Sequence, residues 1–296
     1  MFYRGIFESF HLTPFKLVDL ARLIMISSTL STFALNSTTD LFPTGRYQSI
    51  DPYMEFIPLT EKGIFRLFDF AYLPYVKLGI TVFLVLALLG MFPAIATALY
   101  SYVCFSFVTS SPVVNGGDQI ATIVSLLMIP VYITDSRIFI INSNFDYYPR
   151  RLNKYQLVIT YYFLLLVKIQ ACTIYFFAAI DKFKVEEWVD GTALYYWFNH
   201  PMFGASGVVK SISNIIFKSE ILATLLTWSV LFLEVALAMS LLSSFKFRRT
   251  VFKFGLLFHL GIFVVHGLFS FFLVMTSLLI LYLLTELHSY ALQKQD

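Results

Sequence analysis

YFFAAIDKFKVEEWVDGTALYYWFNHPMF, residues 175–203, is the stretch whose reading decides the fold. It opens as the end of an apolar helix and turns polar within one residue at Asp181. It then continues as an aromatic segment with Trp188, Tyr195, Tyr196, Trp197 and His200. Asp181, Lys182, Lys184, Glu186, Glu187 and Asp190 therefore gather where an apolar core meets water. Charged groups at such a boundary are either interfacial anchors or chemistry.

The rest of the chain fits a membrane boundary there. Of 296 residues, 58% are hydrophobic and only 13% are charged, too little polar surface to wrap a soluble globule of that size. The reading is an integral membrane protein, an all-α polytopic bundle of transmembrane helices. Aromatics make up 18% of the chain, with 33 Phe and 18 Tyr, which suits lipid-facing rings and interfacial belts. A formal charge of +3 gives no reason to expect a nucleic-acid partner. Cys104 and Cys172 stand singly in apolar segments, so they read as buried thiols and not as a redox pair.

A membrane crossing takes about 20 mostly apolar residues. On that rule the spans fall near 16–35, 75–92, 94–111, 118–134, 156–180, 220–243, 250–267 and 269–286, eight in all. Tight turns at Phe92-Pro93 and at Gly267 would make hairpins of spans two and three and of spans seven and eight. The first span, flanked by Asp19 and Arg22, is expected to be retained and not cleaved as a signal. The domain expected is one bundle over 1–290 with a short tail, 291–296. Arg137, Arg150, Arg151 and Lys154 follow span four, and Lys246, Arg248, Arg249 and Lys253 follow span six. With eight spans both loops share a side, which the positive-inside rule makes cytoplasmic together with both termini. The segments 36–74 and 181–219 then face outward. Their prolines and aromatics suggest short interfacial helices, Gly63 to Tyr72 among them, over the outer mouth.

Several polar residues are placed where they would be costly without a role. Lys168 and Gln170 lie near the middle of span five, and Glu234 lies deep in span six. Lys168 needs a partner, and Glu234 is the expected one, whether as a packing pair or as part of a relay. His259 and His266 are seven residues apart, hence on nearly one face of span seven. No third ligand at metal spacing accompanies them, so no metal is expected. Asp118 follows Asn115, Gly116 and Gly117 at the start of span four. It reads either as a helix cap or as a group facing a substrate or partner. Trp188, Gly191, Tyr195, Trp197 and His200 are the other candidates on that outer side. Lys182, at the rim of an apolar pocket, is the candidate base; the alternative is a snorkelling anchor.

Trp188, Val189, Asp190 and Gly191, a Trp-x-x-Gly element after a helix ending in basic residues, resemble the HTTM group of membrane proteins related to vitamin K-dependent gamma-carboxylase. Within that group the passages 115–137, 168–204 and 258–275 look most like the SdpB family, the membrane component needed to produce a sporulation-delaying peptide toxin. The carboxylase resemblance implies Lys182 as a base on a quinone-like lipid and His259, in its Phe-His element, as helper. No counterpart of the carboxylase's large lumenal domain is evident, which counts against carboxylation of a propeptide-bearing protein. The SdpB resemblance implies maturation of a secreted antimicrobial peptide, with a toxin precursor and a small SdpA-like protein as partners. Three functions therefore stand open on the sequence: a maturation factor, a membrane acid–base or redox enzyme, and a scaffold or immunity-type protein without chemistry. No cofactor is specified.

Overall fold

The computed structural model describes residues 14–43, 62–133, 135, 137–140 and 154–285. The two termini with the tail, Arg150 and Arg151, and the stretch of the first loop holding Asp51 and Glu55 lie outside the described residues. Among the described residues the chain is helical throughout, with one isolated antiparallel bridge between Met91 and Phe139. Six helices are long and apolar enough to cross a membrane: Lys16–Leu35, Phe70–Leu88, Pro93–Ser110, Val158–Phe183, Glu220–Leu242 and Phe245–His266. They are built on α1 (Pro14–Leu35), α3 (Leu73–Leu88), α4 (Pro93–Ser110), α6 (Lys154–Phe183), α10 (Glu220–Met239) and α11 (Phe245–His266), with the single turn α2 (Thr38–Leu41) following α1. Two shorter apolar helices stand at the expected fourth and eighth spans: α5 (Gly116–Tyr132), and α12 (Phe269–Leu279) prolonged by a π turn, Ile280–Leu284. The multi-pass bundle read from composition is the fold.

At the centre stands α12, which packs on α1, α5 and α11, while its π turn reaches α6. Its lower half, Leu278 to Leu283, is buried on every side, as a helix without a polar face must be. Both expected hairpin turns are present, for different reasons. After α11, Gly267 takes φ +73° and its N–H closes on the Phe263 carbonyl, a left-handed cap that a residue with a Cβ would strain. Between α3 and α4 the turn leans on a later segment. The Phe92 N–H donates to the Ile138 carbonyl at 2.8 Å and the Ile140 N–H to the Gly90 carbonyl at 3.0 Å.

The segment from Gly63 to Tyr72 is short and helical as expected, and Leu67, Phe68 and Tyr72 stay exposed, but its first half turns inward. It forms two 3₁₀ turns and drives Phe65, fully buried, into the end of the bundle, 5.7 Å from Phe33 and 4.7 Å from Phe42 between ring centres. Arg66 donates to the Thr109 carbonyl in the last turn of α4, where a cation meets the negative end of a helix. The start of α3 is tied to the end of α1 by a hydrogen bond from Lys77 to the Asn36 carbonyl. The loops after α1 and after α6 thus share one end of the bundle.

Candidate functional site

The other half of that end is built by residues 184–219. Three short helices, α7 (Glu186–Val189), α8 (Ala193–Phe198) and α9 (Gly207–Ile216), form an apron beside α10. The Trp-x-x-Gly element is its anchor. Trp188 is 9% exposed and packs with Ala193, Val230 and Leu231, with Leu194 and Phe258 alongside. Gly191 takes φ +87°, and a Cβ there would come 2.6 Å from the Thr224 methyl, so only glycine permits this approach to α10. The Trp228 Nε1–H donates to the Val189 carbonyl at 3.2 Å and fixes the same contact from the other side.

Beneath Trp188 lies the best-defined polar site. Lys182 Nζ is 2.7 Å from Glu234 Oε1 and 5.2 Å from the centre of the Trp188 ring. It also reaches back one turn to the Ala178 carbonyl at 3.4 Å. The direction of helical side chains explains the meeting. Each leans toward its own N-terminus, and α6 and α10 are antiparallel neighbours, so Lys182 leans into the bundle and Glu234 leans out toward it. Seven residues below Lys182 on the same face, the Tyr175 hydroxyl lies 2.9 Å from His259 Nε2 on α11. The imidazole is packed between the rings of Phe258 and Phe271. Two atoms of this constellation, Glu234 Oε2 and His259 Nδ1, are buried without a hydrogen-bond partner. Buried polar atoms are seldom left so, and here one oxygen and one ring nitrogen remain for a polar group to meet.

The expected pairing of Lys168 with Glu234 is not made. Lys168 lies about four turns, roughly 21 Å, further down α6. Its Nζ donates to the carbonyls of Tyr282 at 2.9 Å and Thr285 at 2.6 Å. These belong to the π turn at the C-terminal end of the central helix, where freed carbonyls carry the negative end of the helix dipole. The charge meets these helix-end carbonyls, while Glu234 is paired with Lys182.

The other candidates are separated. His259 and His266 do not act together: His259 is buried inside, whereas His266 at the end of α11 donates from Nδ1 to the Phe203 carbonyl at 2.6 Å and so clips the apron to the bundle. The Trp197 ring stacks with that of His200, whose Nδ1 accepts from the N–H groups of Met202 and Phe203. Tyr195 and Trp197 are exposed. Asp118 is buried and takes the capping role. It accepts the Asn115 N–H at 2.9 Å while Asn115 caps the first turn of α5 in return. Gln170 is half-buried on α6. Tyr175, which recurs at helical spacing with Lys168 and Lys182 on one face of α6, joins the site through a contact with α11 that spacing alone does not show. Among the described residues no three His, Cys, Asp or Glu side chains gather as metal ligands.

Residues 122–283, which include every member of this constellation, match the HTTM domain. The chain belongs to the HTTM-domain family. Its HTTM domain thus runs from α5 to the π turn and contains the Trp188 anchor, the Lys182–Glu234 pair and the Tyr175–His259 contact. The chain is also similar to sporulation-delaying protein SdpB of Bacillus subtilis (strain 168), 34% identical over 203 residues, covering 68% of this chain and 61% of that protein. A second relative, the uncharacterized protein YitO of the same organism, is 31% identical over 200 residues, covering 68% of this chain and 63% of its own length. The matches span about six tenths of the length of these relatives. No solved structure matches the chain.

Proposed function

We propose that this membrane protein serves the maturation of a secreted antimicrobial peptide of the sporulation-delaying type. The observation that carries this reading is the 34% identity with SdpB over 203 residues. In this reading a toxin precursor and a small SdpA-like protein are the partners. The apron at 184–219 faces outward from a bacterial plasma membrane, and both termini are cytoplasmic. The exposed rings of Tyr195 and Trp197 receive the precursor. Glu234 Oε2 and His259 Nδ1, buried and unfilled beneath the apron, are the groups that would hold a polar part of it. Lys182 acts as a held cation, bonded to Glu234 and lying over the Trp188 ring. The carboxylase-like alternative, with Lys182 as a base on a quinone-like lipid, requires that pair to open.

The test is reconstitution in a host that lacks all three components. Cells expressing precursor, small partner and this chain are expected to release growth-inhibiting peptide into the medium. Cells lacking only this chain are expected to release none. Equal inhibition with and without the chain would overturn the proposal.

A further inference from the structure

At the end of the bundle opposite the apron, one buried guanidinium has donors that no neighbour accepts. Arg22 on α1 is 2% exposed. Its Nε–H donates to Thr97 Oγ1 at 2.8 Å, and its guanidinium carbon lies 5.3 Å from the centre of the Tyr132 ring. Nη1 and Nη2 are both buried without a hydrogen-bond partner. The carboxylates nearby are already taken by another arginine. Arg137 binds Asp19 through Nη1 at 2.9 Å and Nη2 at 3.1 Å, and Asp135 through Nε at 2.9 Å and Nη2 at 2.6 Å. The Tyr132 hydroxyl adds a bond to Asp19 at 2.7 Å. Every oxygen of the two acids therefore has a donor, and the free side of Arg22 has no acceptor.

Thr97 stands one turn inside α4, whose first residue is Pro93 and whose N-cap, Phe92, supplies no side-chain acceptor. The positive end of that helix and the open fork of Arg22 thus occur together, next to a rim where Phe92 and Ile95 are exposed. A guanidinium fork matches the paired oxygens of a phosphate better than it matches a single water. We propose that Arg22 and the uncapped start of α4 hold a phosphate-class oxyanion, carried by a phospholipid headgroup or free in solution. The site is separate from the Lys182–Glu234 pair and does not depend on the maturation reading.

The experiment uses the full chain, purified in nonionic detergent and stripped of lipid, with Tm followed during titration. The four additions are phosphatidylglycerol, diacylglycerol, inorganic phosphate, and chloride at matched ionic strength. A saturable rise in Tm is expected with phosphatidylglycerol if the source is lipid, or with inorganic phosphate if it is the free anion, and with neither control. Lys184→Met, at an exposed position, is expected to keep the response, and Arg22→Met to lose it. Should Arg22→Met fail to fold, Arg22→Lys keeps the charge without the fork. It is expected to raise the half-saturating concentration about tenfold, the loss of one charge-assisted bond. An equal rise with diacylglycerol, no saturable rise with either phosphate source, or a response that survives in Arg22→Met or is unchanged in Arg22→Lys would overturn the site.

Discussion

Lys182 and Glu234 form a pair whose charges need each other, because the Glu234 side chain is 5% exposed and that of Lys182 22%. Removing one partner leaves the other short of a charge-assisted bond in an apolar surrounding. Lys182→Met and Glu234→Leu are each expected to cost about 1–3 kcal/mol of stability. The double variant is expected to cost less than the sum, since neither charge is then stranded. Thermal melts of the four proteins measure this coupling, and strict additivity would mean the pair contributes nothing. Lys168 behaves differently. Its bonds run to carbonyls at the end of the central helix, so Lys168→Met lowers stability whether or not Glu234 is present. A double variant with Glu234→Leu is expected to be additive, which distinguishes this geometry from the pairing that the sequence alone suggests.

At the scale of elements, the apron is held to α10 by a glycine approach and to the end of α11 by a clipped histidine. Gly191→Ala would force a positive-φ residue and a methyl into Thr224, whereas Gly267→Ala meets the same φ penalty with open space around it. The φ cost alone is roughly 1–2 kcal/mol, so Gly191→Ala is expected to lower Tm more than Gly267→Ala and to expose the segment 184–219 to protease. Equal losses would show that the close approach carries no weight. These elements also mark where sequence reasoning reaches its limit. The long apolar runs, the turn at Gly267 and the capping role of Asp118 are legible because helix spans and caps are local. The burial of Phe65 is not, since 3₁₀ turns plugging a bundle look like any proline-rich loop until Phe33 and Phe42 are placed beside them. Nor is the fate of Lys168 legible, since a buried cation suggests a carboxylate and no residue type announces a freed carbonyl. Tyr175 shares a helix face with Lys182, but its meeting with His259 depends on how α11 packs.

For the whole molecule, the alternation of the six long described helices with α5 and α12 puts the loops after α1 and α6 at one end and the Arg137 cluster at the other. The proposed function takes the first of these ends as the outside, as the positive-inside rule would have it. Met202 is the most exposed large hydrophobic residue of the apron, at 79%, while Cys104 is buried and Cys172 lies within α6 with its Sγ 3.2 Å from the Ala238 carbonyl. A Met202→Cys variant is therefore expected to react with an impermeant maleimide added to intact cells. Reaction only after permeabilisation would invert the topology.

The central claim is that the chain works in toxin maturation with Lys182 as a fixed cation under Trp188. Its most direct test is secreted peptide activity per unit of membrane-inserted protein for Lys182→Arg and Lys182→Ala. Arginine keeps the charge, can bind Glu234 and can lie over the indole, but it gives up no proton near neutral pH. The account predicts that Lys182→Arg retains most of the activity and that Lys182→Ala loses most of it. Loss of activity in Lys182→Arg at an unchanged protein level would contradict the account and return Lys182 to the role of a base.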